Sequence, residues 1–518
     1  MSKAIQNIII LGGGSAGWLT AAVIAAEHGE GLQITLVESP DVPIIGVGEG
    51  TWPSMRDTLK KIGVSESAFI AECDASFKQG SKFIGWKNGS AADFYYHPFS
   101  LPHGYHDVNS VPFLQSQHSS MAFADAVCGQ SHICEQGLAP KQITTPDFAA
   151  VANYGYHFDA AKFSRFLQKH CTENLSVTHV LDHVTNVNTV SDSSNGAIEG
   201  YIESLSTAEH GQLKADLFID CSGGASVLLA QHFNEPFISR QSTLFNDRAL
   251  AVQVPYVDSE QAIASATLST AQRAGWVWDI GLPSRRGVGY VYSSAHSSEA
   301  QAEEDLRRYL AASIGKQKAN AAQLRSLTIN PGHRASFWKK NCVAVGMSAG
   351  FIEPLEASAL ALVELSAAMI RDDMPATPAM MEATAKRFNE RFQYRWDRII
   401  DFLKLHYVLS QRTDSDYWYD HRDTSSIPEH LQELLKRWRY QAPSRLDFVQ
   451  ADEVFPAASY QYVLYGMDFK TLPRQTARRS ENIDLAKRFF DENIKNTQRM
   501  LSGLPANREL LAQIKQRA

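Results

Sequence analysis

The stretch that most restricts how this chain can fold lies near its start. Ile8–Leu11 is an apolar run without alternation, the pattern of a central parallel strand. Gly12-Gly13-Gly14-Ser15-Ala16-Gly17 follows at once and satisfies G-x-G-x-x-G. Trp18–Ala26 then reads as a helix. Gln33–Glu38 reads as the next strand, with Glu38 closing it about 20 residues past Gly17. In such a βαβ unit Gly12 makes the tight turn, Gly14 lets a pyrophosphate approach and Gly17 lets helix and strand pack. Ser15 and Ala16 complete the turn, and Glu38 accepts hydrogen bonds from a ribose. The alternative is a glycine-rich turn in an α/β fold with no ligand.

A second stretch, Val343–Leu360, has related features. A short apolar strand, Val343–Val345, breaks at Gly346 and Gly350, where backbone can approach a ligand closely. Glu353 and Glu356 flank Pro354, which stiffens the turn. From Ala357 to Ile370 the residues are apolar nearly all round, apart from Ser358, Glu364 and Ser366, so a buried helix is predicted. Its N-terminus offers free N–H groups and a positive dipole end to a cofactor's anionic edge or a small anion. A strand–loop–helix crossover that only packs accounts for the same residues.

Composition narrows the classes. With 518 residues, 44% hydrophobic and 20% charged, the chain can bury a sizeable core. A net charge of −7 and the lack of a long basic run speak against a nucleic-acid partner. Six scattered cysteines without a CxxC pair form no disulfide framework and fit a reducing cytoplasm. Met1 leads into a strand within a few residues, leaving no room for a signal peptide. The longest apolar stretch, around Ser358–Ile370, contains Glu364 and is too short for a bilayer, so no membrane association is expected.

Other segments leave two readings open. Ile45–Thr51 is a second glycine-rich loop, either a turn or a contact loop that would include Gly48 and Glu49. Cys73–Trp86 suggests a strand from Phe77 onward with Lys78 and Lys82 on one face. These are surface lysines of an edge strand, or one is buried and chemically tuned. Phe94–Phe99 is an aromatic cluster with His97, lining a pocket for a flat ring or packing a loop. His103, His106, His118, His132 and His157 show no metal-ligand spacing, so no metal is expected. Tyr156–Leu167 reads as the start of an amphipathic helix, and Asp192–Gly196 as a hairpin tip. Leu217–Gly224 is a strand leaving through a glycine turn, a second cofactor contact or a tight exit. Gly275–Ile280 puts Trp276 and Trp278 on one strand face, walling a cavity or filling a core. Ala379–Leu409 is helical, Trp438–Phe469 reads as irregular, and Asn482–Arg499 as a final amphipathic helix.

Taken together, Gly12–Trp18, Trp276-x-Trp278-x-Ile280 and Glu353-Pro-Leu-Glu356 resemble flavin-dependent halogenases of the tryptophan-halogenase family, from residue 5 to about residue 410. The resemblance implies an α/β fold: a Rossmann-like FAD-binding (GR2-type) flavoprotein monooxygenase fold with a mainly helical C-terminal region. Residues 1–375 would form the FAD-binding core with interleaved substrate-binding segments, and 376–518 would complete the substrate pocket. Gly48 and Glu49 fall in a loop similar to the one that covers the flavin, and Gly346 and Ile352 join the flavin contacts. Lys78 matches the catalytic lysine and Glu356 the catalytic glutamate, while Lys82 has no such role. Ser358 and Ala359 fall where the family binds halide; His97 and Phe99, from the aromatic cluster, are the expected contacts of a flat arene ring.

The implied chemistry uses reduced FAD from a separate NAD(P)H-dependent flavin reductase, O₂ and halide to make hypohalous acid. Lys78 hydrogen-bonds that oxidant or carries it as a haloamine to a small aromatic substrate. Glu356 orients it and helps remove the ring proton, help typically worth about 10²–10⁴-fold. Trp276 and Trp278 form the barrier between flavin and substrate. A homodimer is left open. Three departures bear on the substrate more than on the chemistry. Ile280-Gly281 replaces Ile-Pro; Ala357 and Ala359 replace a serine and a glycine; and no tyrosine-rich clamp is legible in Asp447–Phe469. Free tryptophan needs partners for both its charges, so indoles or other free electron-rich arenes are expected instead. Bromide, easier to oxidise and dehydrate, is expected over chloride. An aromatic hydroxylase and a non-catalytic flavin-binding protein are the rival readings.

Overall fold

The computed structural model describes residues 4–42, 48–90, 92–191, 198–472 and 478–517. The chain divides into two compact units, each assembled from three segments. The first comprises Met1–Asp74, Phe158–Arg240 and Asn330–Trp396; the second comprises Ala75–His157, Gln241–Ile329 and Asp397–Ala518.

In the first unit the apolar run becomes the strand Asn7–Leu11, flanked in parallel by Leu217–Asp220 and Gln33–Glu38. Cys342–Ala344 and Thr178–Leu181 extend the parallel sheet on either side, and the short strand Trp338–Lys339 closes one edge in antiparallel. Ile8, Ile9 and Ile10 are buried, as a central strand requires. The helix Ser15–His28 follows the glycine turn and is buried along most of its length. A Cβ on Gly17 would stand 1.9 Å from the Gly12 carbonyl oxygen, so the helix reaches its strand only because that position is glycine.

The apolar stretch after Pro354 forms the helix Ser358–Asp372, buried as its composition predicts. Its buried acid is partnered. Glu364 accepts hydrogen bonds from Ser54 Oγ at 3.1 Å and Thr58 Oγ1 at 2.5 Å, on the helix Ser54–Lys61. The long helix Met381–Val408 carries Asn389, whose side chain receives the backbone N–H groups of Phe337 and Trp338.

The second unit is built on a seven-stranded sheet. Its order is Arg325–Thr328, Arg248–Pro255, Arg285–Tyr292, Gly275–Gly281, Thr267–Gln272, Gly80–Ile84, Phe94–Pro98. All neighbours are antiparallel except Thr267–Gln272 with Gly80–Ile84. A helical layer from the C-terminal segment includes Glu429–Trp438, Ala457–Gly466, Ile483–Gly503 and Asn507–Arg517.

Four local readings of the sequence are corrected here. Cys73–Trp86 is not one strand: Ser76–Lys78 and Gly80–Ile84 join different sheets. Gly80 makes the break, with φ +148° and no room for a Cβ against the His97 carbonyl oxygen. Lys78 and Lys82 therefore do not share a strand face. Tyr156–Phe158 is strand, not helix; the helix Ala160–Asn174 starts only after Asp159, whose carboxylate caps Ala161 and Lys162. Ala457–Gly466 is helical within a segment that read as irregular. Every residue from Ala457 to Tyr465 is buried, so no amphipathic period marks it. Asn507–Arg517 follows the helix that read as the last one. Ile45–Val47 and Asp192–Gly196 lie outside the described residues. Among the described residues no helix is long and apolar enough to cross a membrane.

The buried Glu364 makes a pH prediction. Burial pushes its carboxyl up to about 7. Between the ordinary carboxylate range and pH 7 the folded protein thus keeps a proton that the unfolded chain has released. Stability falls as pH rises through that window and levels off above it, a loss on the order of 3 kcal/mol. Glu364→Gln should keep an acceptor for Ser54 and Thr58 and flatten this slope. Melting temperatures from pH 5 to 8 check it; equal slopes in both proteins would refute the assignment.

Candidate functional site

The first unit gathers most residues singled out for cofactor binding. Gly14 precedes the helix Ser15–His28 as its N-cap, and among the described residues no side-chain hydrogen bond caps that end. A Cβ on Gly14 would meet nothing within 4 Å among the described residues, whereas one on Gly12 would stand 2.2 Å from the Cys221 carbonyl oxygen. Gly12 is thus spent on backbone packing, and the space beside Gly14 is open. Ala16 meets the second glycine turn: a Cβ on Gly346, where φ is +70°, would lie 2.9 Å from the Ala16 methyl. Glu38 reaches back to the turn, its carboxyl so close to Gly13 that a Cβ there would stand 2.0 Å away. His179 Nε2 lies 3.0 Å from Glu38 Oε2, and its ring packs edge-on to Trp18. An uncapped helix start, an open glycine and an anchored acid fit a dinucleotide's pyrophosphate and ribose.

The same unit holds the turn around Glu356. Ile352, Glu353 and Glu356 are buried. Glu356 and Ala357 both have left-handed backbone, φ 62° and 54°. Neither residue is glycine, so the turn stores strain of order 1–3 kcal/mol per residue. Trp52 Nε1 donates to the Glu356 carbonyl oxygen at 2.7 Å and helps hold the turn. The helix then begins at Ser358, with no side-chain cap among the described residues. Ser358 is buried and Ala359 exposed, so the first amides of this helix sit beside accessible space. Gly48 and Glu49 form part of the short strand Gly48–Gly50, and burial pushes the Glu49 carboxyl up to about 7.

In the second unit Lys78 is fully buried, which removes the surface-lysine reading. Its Nζ lies 5.2 Å from the centre of the Phe99 ring. The Phe99 backbone is fixed from both sides: its N–H donates to the Gln79 carbonyl, and Asn153 Nδ2 donates to its own carbonyl. Lys82 instead pairs with Glu135 near the surface. His97 is buried between Phe402 and Tyr462, the latter on the helix Ala457–Gly466.

Trp276 and Trp278 share a strand face with ring centres 6.5 Å apart. The Trp278 indole occupies the space beside Gly289, its partner across the sheet, where a Cβ would stand 2.0 Å from the ring. The departure Gly281 is tightly packed, since a Cβ there would meet Ile263 at 3.0 Å and the Tyr256 hydroxyl at 3.2 Å. A cavity of about 280 Å³ in this unit is lined by Phe94, Tyr96, Phe123 and Tyr465, with neither Lys78 nor Phe99 in its wall. Among the described residues no three His, Cys, Asp or Glu side chains are grouped to hold a metal ion.

Three residues escaped the sequence reading. His179 had no signal, because its role exists only where Thr178–Leu181 lies beside Gln33–Glu38. Asp220 had a weak one, closing a strand before a glycine turn. Its buried carboxylate accepts from the backbone of Ser222, Leu228 and Leu229 and from Ser348 Oγ, locking the Cys221–Leu229 turn to the Gly346–Ser348 turn. Gly289 could have been suspected as a glycine inside an otherwise apolar strand.

The fold and these turns define a flavoprotein-like α/β enzyme, and comparison with known proteins narrows the class. The tryptophan halogenase family profile matches residues 7–484. A tryptophan halogenase from Shewanella frigidimarina NCIMB 400 has a crystal structure that superposes with a TM-score of 0.94 at 50% identity, covering 99% of this chain and 98% of that one. The tryptophan C-6 flavin-dependent halogenase (chlorinase) Tar14 superposes with a TM-score of 0.88 at 30% identity over 99% of this chain and 100% of that one. The 7-chloro-L-tryptophan 6-halogenase KtzR of Kutzneria sp. (strain 744) is 30% identical over 98% of this chain and 99% of its own. The chain belongs to the tryptophan halogenase family and is a flavin-dependent halogenase.

The Trp278–Gly289 contact is open to test. In Gly289→Ala the new methyl falls inside the indole ring volume, so Trp278 must turn away. The expected loss of stability is about 1–3 kcal/mol. A melting curve and the ¹⁹F resonance of Trp278 in fluorotryptophan-labelled protein report both effects; an unmoved resonance would contradict the packing.

Proposed function

We propose that this enzyme uses reduced FAD, O₂ and halide to make hypohalous acid, and halogenates an electron-rich arene of the indole class through Lys78. The observation that carries this reading is the environment of Lys78, a lysine wholly removed from water beside a fixed aromatic ring. When bound, reduced FAD supplies, with O₂, the two-electron oxidation of halide to hypohalous acid. Gly12, Gly14, Ser15, Ala16 and Gly17 would cradle its pyrophosphate. Glu38 would accept from its ribose, and Gly48, Glu49, Gly346 and Ile352 would border it. Halide would rest on the amides of Ser358 and Ala359.

Lys78 then holds the oxidant against the substrate. The ring carbon gains the halogen as the oxygen–halogen bond breaks, and the ring proton leaves with help from Glu356. Trp276 and Trp278 serve as the barrier that keeps the flavin's oxidising chemistry off the ring. His97 and Phe99 belong to the arene site, and residues 376–518 complete it, a reading supported by the packing of Tyr462 on His97. The flavin-binding fold is of the GR2 type. A separate NAD(P)H-dependent flavin reductase supplies the reduced cofactor. Six free cysteines fit a cytoplasmic location.

The relatives named above act, by their names, on tryptophan or chlorotryptophan, and one is a chlorinase. Two features of this chain favour an indole and bromide instead. The ring surroundings of His97 are aromatic, suited to a flat apolar substrate. The halide turn carries Ala357 and Ala359, which should penalise the more strongly hydrated chloride first.

Lys78→Ala should abolish halogenation and leave FAD affinity unchanged, with Lys82→Ala as the milder control; near-normal turnover in Lys78→Ala would remove its role. Glu38→Ala should weaken FAD binding by about 1.5–3 kcal/mol, read in a flavin titration. Equal indole and tryptophan, supplied together in bromide and in chloride, test the substrate reading. Indole in bromide should give the faster product, and faster tryptophan turnover would overturn the preference.

A further inference from the structure

Beside Lys78 stands a histidine that the reading above does not use. His157 lies on the strand Gly155–Asp159, whose register sets it opposite Ser76 and sets Gly155 opposite Lys78. Cross-strand partners share a face, as do residues two apart on one strand, so His157 and Lys78 are diagonal neighbours on one side of this strand pair. The imidazole is fully buried. Its Nε2 is 2.7 Å from Thr267 Oγ1, while Nδ1 is buried and has no hydrogen-bond partner among the described residues. An unmet buried ring nitrogen is costly and calls for an explanation. Burial and the charge of Lys78 together hold the ring's pKa well below the usual histidine range, so it is neutral. A neutral imidazole has one N–H and one lone pair. Next to a lysine ammonium the favoured tautomer places N–H on Nε2, donating to Thr267, and turns the Nδ1 lone pair toward the cation.

Resting on the assignment of Lys78 above, we propose that His157 is a positioning residue for the reaction: its Nδ1 accepts one N–H of Lys78 in the working enzyme. That bond fixes the turn of the lysine head group and leaves its other N–H groups for the hypohalous acid. Thr267 sets the ring's orientation. The consequence is delivery: a lysine held in this way passes the oxidant to the arene before it escapes.

Side-chain amides separate the two ring nitrogens. Asparagine can present an acceptor near the Nδ1 position, and glutamine near the Nε2 position. The test measures brominated indole formed against hypobromous acid caught by monochlorodimedone, in wild type, His157→Asn, His157→Gln, Thr267→Val and Lys78→Ala. His157→Gln should lower the delivered fraction about tenfold or more, with His157→Asn within about threefold of wild type. KM for indole and FAD affinity should not change. Thr267→Val, which keeps the imidazole but frees it, should show an intermediate loss. Wild-type delivery in His157→Gln or in Thr267→Val overturns the proposal, as does an equal fall in the Asn and Gln variants. If Lys78→Ala itself still delivers halogen normally, the Lys78 reading fails and this proposal falls with it. If Lys78→Ala is dead and the other variants are normal, only the role of His157 fails.

Discussion

The close backbone contact at the first glycine turn is the constraint on which the first unit depends. Gly12 touches the Cys221 backbone and Gly17 touches Gly12, both at distances no side chain would permit. Those contacts bring three chain segments together: the turn, the helix Ser15–His28 and the exit of the strand Leu217–Asp220. They also set the helix start where its free amides face open space. Asp220 then ties the neighbouring turns to one carboxylate, at the cost of burying a charge that is tolerable only because several donors surround it. The second glycine turn rests on the first through Ala16 and Gly346. An error at Gly12 or Gly17 would therefore spread to the Glu356 turn far along the chain.

The two sets of candidate residues show different physical strategies. Around the candidate cofactor residues of the first unit the groups are backbone amides and the two acids Glu38 and Glu49, an arrangement that would suit a ligand held at many points. Lys78 instead is buried, with the Phe99 ring and the buried His157 imidazole among its neighbours. There a single charged or nucleophilic nitrogen is isolated from water, and the phenyl face of Phe99 is a weak but compatible partner for its charge. Strain is placed sparingly. Two successive left-handed residues without glycine, Glu356 and Ala357, occur just where the candidate acid and the candidate halide amides meet. A turn built this way holds its shape only while Trp52 and the buried helix keep it there.

Much of this was legible in the linear sequence. The parallel strand, the glycine turn, Glu38 and the buried helix at Ser358 were all read within a few residues of their observed bounds. Each is a local pattern in which the next ten residues state their own environment: apolar on both faces, or glycine where nothing else fits. The Trp276 and Trp278 pair was readable for the same reason, since alternate residues of a strand share a face. What failed was local too. The helix Ala457–Gly466 has no polar face to reveal its period, and Gly80 splits a run of strand-like residues between two sheets.

Chain order alone could not decide which polar groups would be buried or which would meet. Lys78 and Lys82 are alike in sequence; the tertiary structure buries one beside Phe99 and gives the other a surface carboxylate. Glu38 gains His179 because parallel pairing sets two distant strands side by side. Trp278 gains Gly289, and His157 gains Thr267, through the register of sheets whose strands are far apart in the chain. The sequence by itself determined the βαβ unit, its ligand-sized glycine turn and the family. The long-range pairing decided desolvation and neighbourhood, because both depend on what the rest of the chain lays against a residue and not on the residue's own neighbours in sequence.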